Sequence, residues 1–306
     1  MPNTLAHIGV HGLLMRFGCR WPWALIYAGA IIPDIPWIAL RVLKRALPQI
    51  DPSALILYSA AQSSLLSCML LCALLALFLS PRIRSFVILL SGAALHLGID
   101  ALQTKWSNGV LLTAPFDWTL CSLGLAWPEH WIFVVLTALG LAMVVISLVA
   151  RRWPQTEPTI VKWPGYLQLM LAAALLALYL LCPIPQVKPA FRANLYHSTS
   201  LAQDPKPTDH FFTFDRAKVR PSEGEAHATL YNGESVVLDN LNVSNPQLIS
   251  LQGRFTSEGR FHVEAHHFHR GRTRDMSAIA GLLCLLVYFG KELYTAKRLG
   301  GPIQFL

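Results

Sequence analysis

Apolar runs long enough to cross a lipid bilayer are the feature that most limits how this chain can fold. A run of about 20 apolar residues spans the hydrocarbon core as a helix, because a helix satisfies its own backbone hydrogen bonds. Only 14% of the residues are charged, whereas a soluble globular chain carries about 25%. Seven apolar helical segments are predicted, the first of them short for a span, at 4–17, 23–43, 54–79, 85–103, 131–150, 165–183 and 276–293. We therefore predict a mainly α-helical integral membrane protein with about six to seven membrane helices.

A polar stretch between the last two apolar runs has a different pattern. Segments such as ESVVLDNL and QLISLQGRF alternate apolar and polar residues, and turn sequences such as PSEG and NGE separate them. This pattern is typical of short strands joined by tight turns. About five such strands predict a small β-barrel or sandwich, similar to an oligonucleotide/oligosaccharide-binding (OB) barrel. The predicted domains are a membrane helical bundle, an extracytoplasmic β domain, and a final membrane helix with a cytoplasmic tail, at 1–186, 187–272 and 273–306.

The positions of Lys and Arg predict the orientation, because cytoplasmic loops carry an excess of both. Placing the basic loops at 81–84, 151–162 and 297–301 in the cytoplasm leaves 104–130 and the β domain outside. Three basic residues conflict with this orientation unless their side chains reach the lipid phosphates: Arg41, Lys44 and Arg45. The net charge of +8 is explained by such loops and by lipid headgroups, so nucleic acid is not expected as a partner.

Four ionisable side chains interrupt the apolar segments and are the candidate functional residues. His96 and Asp100 are four residues apart and share one face of their helix, while His7 and Asp34 lie in two earlier segments. Pro33 interrupts the helix beside Asp34 and can expose that carboxylate to a polar cavity. Because ionisable groups in hydrocarbon are costly, a shared site is favoured over four unrelated ones. Imidazole and carboxylate suit Zn²⁺, with Mn²⁺ or Fe²⁺ as alternatives, and Asp100 or Asp34 could act as general base.

Other histidines are explained more simply as structural residues. His11 follows His7 by four residues, and a core histidine with satisfied hydrogen bonds accounts for it. His262 and His266 share one face of a predicted strand and could bind a metal, but a solvated barrel face near lipid headgroups is the simpler interpretation.

Three segments resemble a known family, the membrane-bound metal-dependent hydrolases (YdjM-like, LexA-binding inner-membrane hydrolases). The segments are TLAHIGVHGLL, GAIIPDIPWI and HLGIDALQTKWSNGVLLTAPF, within about the first 120 residues. The resemblance implies a multi-pass protein of the bacterial inner membrane. It also implies that metal ligands occupy the positions of His7, Asp34, His96 and Asp100.

The sequence departs from the family pattern at the second and third helices. Pro36 stands where the family has a second Asp, and YSAAQSS replaces a segment rich in His and Arg. Within it, Tyr58 and Ser63 replace histidines, and Ser59 replaces an arginine. These changes remove ligands for a second metal, so one metal ion or a degenerate site is expected.

Two functions from different classes follow. The first is a membrane-embedded metal-dependent hydrolase that acts at the membrane interface on a lipid-linked or headgroup substrate. The second is a non-catalytic membrane scaffold whose β domain binds a partner protein or an envelope polymer. Membrane lipid is the expected partner in both, and the protein partner of the scaffold is open.

Overall fold

The computed structural model describes residues 3–47, 49–149, 159–161, 164–192, 211–222, 224–230, 233–257, 259–269 and 273–298. The helices within these residues are α1 (Thr4–His11), which continues as a π-helix (Gly12–Gly18), α2 (Trp23–Ile31), α3 (Ile35–Ala46), α4 (Pro52–Gln62), α5 (Leu65–Leu77), α6 (Arg82–Ala101), α7 (Trp131–Val149), α8 (Tyr166–Leu181), α9 (Pro183–Arg192) and α10 (Thr273–Arg298). A single 3-10 turn (Ile32–Asp34) joins α2 to α3. Most of the basic loop predicted at 151–162 and most of the basic tail lie outside the described residues.

Within the described chain, five helices are long and apolar enough to cross a membrane, at Trp23–Ala46, Arg82–Ala101, Trp131–Val149, Tyr166–Val187 and Asp275–Tyr294. A sixth exists if the bent pair of α4 and α5 is one span. The predicted first span is not among them. Its 8 α-helical and 7 π-helical residues are too few for a 30 Å hydrocarbon core at about 1.5 Å per residue.

The predicted single helix at 54–79 is broken. α4 and α5 meet at an angle of 62°, and Ser64 begins the second helix because its side chain accepts a hydrogen bond from the backbone N–H of Ser67. Ser63 directly follows the end of α4, and its hydroxyl donates to the carbonyl of Ser59 in that helix at 2.9 Å. The pair of serines therefore ends one helix and caps the next.

Glycine contacts bring the functional helices unusually close together. A Cβ atom on Gly92 of α6 would lie 2.9 Å from the Cα atom of Gly29 of α2, and one on Gly9 of α1 would lie 2.8 Å from the backbone nitrogen of Gly140 of α7. Small residues allow this approach, which supplies dispersion contacts where lipid gives no hydrophobic drive between helices. α1 and α6 carry His7, His96 and Asp100, the 3-10 turn after α2 carries Asp34, and these segments pack around one point.

The polar stretch forms a closed five-stranded barrel, as its alternating pattern predicts. Its strands, numbered after the short pair β1 (Leu79–Ser80) and β2 (Thr159–Ile160), are β3 (Phe211–Ser222), β4 (Glu225–Thr229), β5 (Ser235–Asp239), β6 (Gln247–Ser257) and β7 (Arg260–Phe268). Their order around the barrel is β3-β4-β5-β7-β6, and β5 pairs with β7 in parallel. Phe214, Phe255 and Phe261 stack edge to face inside the barrel, where each adds aromatic contact energy to its apolar burial.

The barrel contacts the bundle through the segment that joins α6 to α7. The Ser107 hydroxyl bonds the backbone carbonyl of Thr213, and the Asn108 side-chain amide donates to Asp215 at 3.1 Å. Arg216 pairs with Glu129 at 3.2 Å. These contacts hold the first half of β3 beside the end of α6 that carries Asp100.

We predict that Gly92→Ala lowers the thermal stability of the purified protein in detergent, because the new methyl group would clash with the backbone of α2 at Gly29. Overpacking of this kind costs about 1–3 kcal/mol. The measurement is the melting temperature followed by intrinsic fluorescence or by a thiol probe.

Gly98→Ala is the matched control on the same helix, since nothing lies within 4 Å of a Cβ atom at that position. It should leave stability unchanged or raise it, because alanine favours a helix by up to about 1 kcal/mol over glycine. Equal destabilisation by both variants would contradict the close crossing of α2 and α6.

Candidate metal centre

The four residues predicted from the sequence come together at the centre of the bundle. One ligand atom each of His7, His96 and Asp100 lies within 4.8 Å of the other two. Asp34, at the end of the 3-10 turn, places Oδ1 3.7 Å from Nε2 of His96. The side chains of His7, His96 and Asp100 are at most 1% exposed, and that of Asp34 is 15% exposed. We call these four residues the bundle cluster.

The spacing within the bundle cluster is too long for direct hydrogen bonds. His7 Nε2 is 3.5 Å from Asp100 Oδ1, and His96 Nε2 is 3.9 Å from Asp100 Oδ2, whereas N–H···O bonds extend to about 3.2 Å. Both nitrogens of His7, Nε2 of His96 and both oxygens of Asp100 are buried without a hydrogen-bond partner. Two ligand atoms about 2.1 Å from one ion are about 3.4 Å apart at the tetrahedral angle. The cluster therefore has the dimensions of a cation site.

A backbone carbonyl fixes the orientation of His96. Its Nδ1–H donates to the carbonyl of Ala30 at 2.6 Å, which leaves the lone pair of Nε2 directed at the carboxylates. Metal-binding histidines usually donate their second ring N–H to a carbonyl or carboxylate in this way. The ring of His7 stacks on that of His96 with centroids 3.6 Å apart and planes 3° from parallel, so an ion bound by both rings requires one of them to turn out of the stack.

Lys105 also belongs to this centre, although no sequence pattern distinguishes it. Its Nζ lies 3.6 Å from Asp100 Oδ2, and its side chain is only 3% exposed. A lysine in a polar segment after a helix is ordinary in sequence, and only the fold shows that it turns back into the bundle. Its positive charge partly offsets the negative charge of the buried Asp100 carboxylate.

His11 is a structural residue, as expected. Its two ring nitrogens lie 2.7 Å from the carbonyl oxygen of His7 and 2.8 Å from that of Gly92. It ties α1 to α6 one turn away from the bundle cluster.

A cavity of about 320 Å³ connects the bundle cluster to the barrel. Asp34 and Asp100 line it, as do Arg41 of α3, Ser63 of α4 and Arg216 of the barrel. This volume is at the lower end of the range for small-molecule sites, about 300–1,000 Å³. A polar molecule inside it could contact the carboxylates and the guanidinium of Arg41 together.

The residues that depart from the family pattern have structural contacts. The hydroxyl of Tyr58 donates to the carbonyl of Leu180 at 2.9 Å, so this residue ties α4 to α8. Ser59 is buried, and Pro36 is buried in the first turn of α3. Of the replaced positions, Ser63 alone is among the residues that line the cavity.

A second group that could hold a metal ion lies where the barrel meets the bundle. It consists of Glu129, His267 and His269, and we call it the junction cluster. His269 Nδ1 is 2.7 Å from Glu129 Oε1, and His267 Nε2 is 3.5 Å from Glu129 Oε2. The sequence placed His267 on the opposite strand face from His262 and His266 but did not select it.

The two histidines that the sequence did select on this strand are elsewhere. His262 lies beside the side-chain amide of Asn240 at the exposed barrel surface, and His266 packs against the edge of Phe268. Neither belongs to a group with metal-binding geometry in the described residues.

The charge states in the junction cluster suit a cation. Burial raises the pKa of Glu129, but the hydrogen bond and charge of His269 and the nearby Arg216 outweigh it and bring the pKa to about 2. The carboxylate is therefore ionised at neutral pH. Burial and the neighbouring His269 lower the pKa of His267, so its imidazole is neutral and can act as a ligand.

No protein-family model, curated protein or solved structure matches this chain. The two clusters and the cavity are therefore interpreted from their own geometry.

We predict that protein loaded with Zn²⁺ and dialysed holds one fewer ion per chain when His96 and Asp100 are both replaced by alanine. The two replacements remove half of the bundle cluster, including the imidazole that Ala30 orients. Metal content per chain, measured by mass spectrometry of the digested protein, tests this.

Lys105→Met is the informative control. It should keep the ion and bind it more tightly, because a positive charge 3.6 Å from Asp100 is removed. A zinc content that is equal in the native protein and in the double variant would contradict the cation site.

Proposed function

We propose that this protein is a membrane-embedded, metal-dependent hydrolase of the bacterial inner membrane, with Zn²⁺ as the favoured ion and Mn²⁺ or Fe²⁺ as alternatives. One observation carries the proposal: four converging imidazole and carboxylate groups line or adjoin a cavity large enough for a small polar group. The resemblance of the first 120 residues to membrane-bound metal-dependent hydrolases supports the same reaction class.

The two carboxylates have different roles in this proposal because they differ in exposure. When bound, a divalent ion supplies Lewis acidity and makes water nucleophilic near neutral pH. Asp34 lines the cavity and is the more exposed carboxylate, so it is the group that accepts the proton from an attacking water. Asp100, held between His7 and Lys105, is the deeper ligand.

A substrate from the membrane interface fits this cavity. Its lining includes Trp37, Ile38 and Arg41 of α3 together with Ala278 and Leu282 of α10, so apolar and cationic surfaces meet in one space. Arg41 is a basic residue that the predicted orientation puts at the outer lipid phosphates. A guanidinium there can hold a phosphate or carboxylate of a lipid-linked substrate.

The barrel is proposed to be OB-like and extracytoplasmic. The strand order supports this proposal. The third strand of the barrel (β5) pairs in parallel with the fifth (β7), and the fourth (β6) pairs with the first (β3). In this proposal the barrel covers the cavity through Asp215, Arg216 and Leu248 and restricts which molecules enter from the membrane surface.

The scaffold remains the second candidate because the second and third helices lack family residues. Tyr58 ties α4 to α8, which is a structural use of a position that has a histidine in the family. In this case the bundle would anchor the barrel, and the barrel would bind an envelope polymer or a protein.

We predict that Asp34→Asn lowers headgroup release by about 10²–10⁴-fold, the contribution of a general base. The protein is reconstituted in vesicles of phosphatidylethanolamine and phosphatidylglycerol with saturating Zn²⁺, and water-soluble products are measured by mass spectrometry. Asp51→Asn, the same change at an exposed position before α4, should keep the native rate.

Two results separate the candidates. Release that depends on Asp34 and stops with chelation supports the hydrolase. Protein that binds one ion in the bundle cluster and gains thermal stability from it, but releases no product from these lipids or from lipid-linked sugars, supports the scaffold.

A further inference from the structure

We propose that the junction cluster is a second metal site, in which Glu129, His267 and His269 bind a divalent transition metal, with Zn²⁺ the best fit, and join the barrel to the bundle. This site is separate from the bundle cluster and does not depend on the proposed hydrolase activity. The three ligands come from two parts of the chain: Glu129 precedes α7, His267 lies near the end of β7, and His269 directly follows that strand.

Two unsatisfied atoms point to a ligand. Oε2 of Glu129 and Nε2 of His267 are buried without a hydrogen-bond partner, and they face each other at 3.5 Å. That separation matches two ligands about 2.1 Å from a common ion. Buried polar atoms of this kind are normally satisfied, so a pair that faces one gap indicates a bound species.

The surroundings of His269 are those of a metal ligand. Its Nε2 lies 2.7 Å from the hydroxyl of Ser250, and this hydroxyl donates to Asp215 at 3.2 Å. The Ser250 oxygen is therefore free to accept from Nε2–H, which directs Nδ1 toward Glu129. A ligating histidine is held in this way by a hydrogen bond from its other nitrogen.

Packing fixes the second imidazole as well. The ring of Trp127 stacks on His267 with centroids 3.8 Å apart and planes 3° from parallel. The ring therefore has little freedom to turn Nε2 away from Glu129, and pre-organisation of this kind lowers the entropy cost of binding.

The positive charge of Arg216 is compatible with the ion because it uses the other carboxylate oxygen. Its NH1 group lies 3.2 Å from Glu129 Oε1, whereas the unsatisfied oxygen is Oε2. An ion would replace two contacts of His269 Nδ1, the one to Oε1 of Glu129 at 2.7 Å and the one to NH1 of Arg216 at 3.2 Å. A ligating imidazole nitrogen carries no proton, so binding should weaken as the pH falls.

The site consists of two imidazoles and one carboxylate, a ligand set that zinc favours. The side chains of His267 and Glu129 are 28% and 16% exposed, whereas their two facing atoms are buried. Since Arg216 also lines the cavity above the bundle cluster, an ion at the junction would hold that wall in place.

The experiment counts metal ions in the full-length protein in detergent. Chelator-stripped protein is loaded with Co²⁺ or Zn²⁺ and dialysed, and bound metal is measured together with the visible Co²⁺ spectrum. We expect two ions per chain in the native protein and one in His267→Ala or Glu129→Gln. His266→Ala, on the same strand but outside the cluster, should keep two.

A ligand exchange keeps the test decisive if either variant folds poorly. Glu129→Cys should retain the ion and add a thiolate-to-cobalt charge-transfer band, which no purely structural role would produce. Failure of the two sites is distinguishable, because loss of the bundle ion leaves one ion that depends on His267. Equal metal content in native protein, His267→Ala and Glu129→Gln, or a Glu129→Cys variant without the new band, would overturn the proposal and leave an ion-pair network only.

Discussion

A buried carboxylate that no hydrogen bond satisfies, that of Asp100, is the constraint on which the rest of this structure depends. Asp100 is 1% exposed and sits inside an apolar bundle, where an isolated charge is expensive. Lys105 and two imidazoles approach it, but none comes within hydrogen-bond distance. The helix packing, the break beside Asp34 and the cavity all serve to hold these groups around one point. A shared cation would remove the cost that their convergence creates.

Close helix packing makes that convergence possible. The glycine contacts between α2 and α6 and between α1 and α7 put the backbones near enough for Ala30 to accept a hydrogen bond from His96. The 3-10 turn then directs Asp34 toward the same ring. Stability and site geometry are therefore linked, because a substitution that separates these helices also moves the ligands.

The site residues that the sequence revealed are those that depart from the hydrophobic pattern of their own segment. His96 and Asp100 are conspicuous because they interrupt an apolar helix, and the strands of the barrel are conspicuous through their alternation. Glu129, His267, His269 and Lys105 lie in loops or at a strand end, where polar residues are ordinary. Only the fold brings Lys105 to the bundle cluster and the other three residues together in the junction cluster. The break between α4 and α5 was missed for a similar reason, since two serines are a weak signal within a long apolar run.

The most direct test of the central claim is an anomalous difference map, recorded at the zinc absorption edge from crystals of the protein grown with Zn²⁺. We expect a peak inside the bundle, about 2.0–2.2 Å from Nε2 of His7 and Nε2 of His96 and from a carboxylate oxygen of Asp100. A map with ordered side chains at these positions and no peak between them would contradict it.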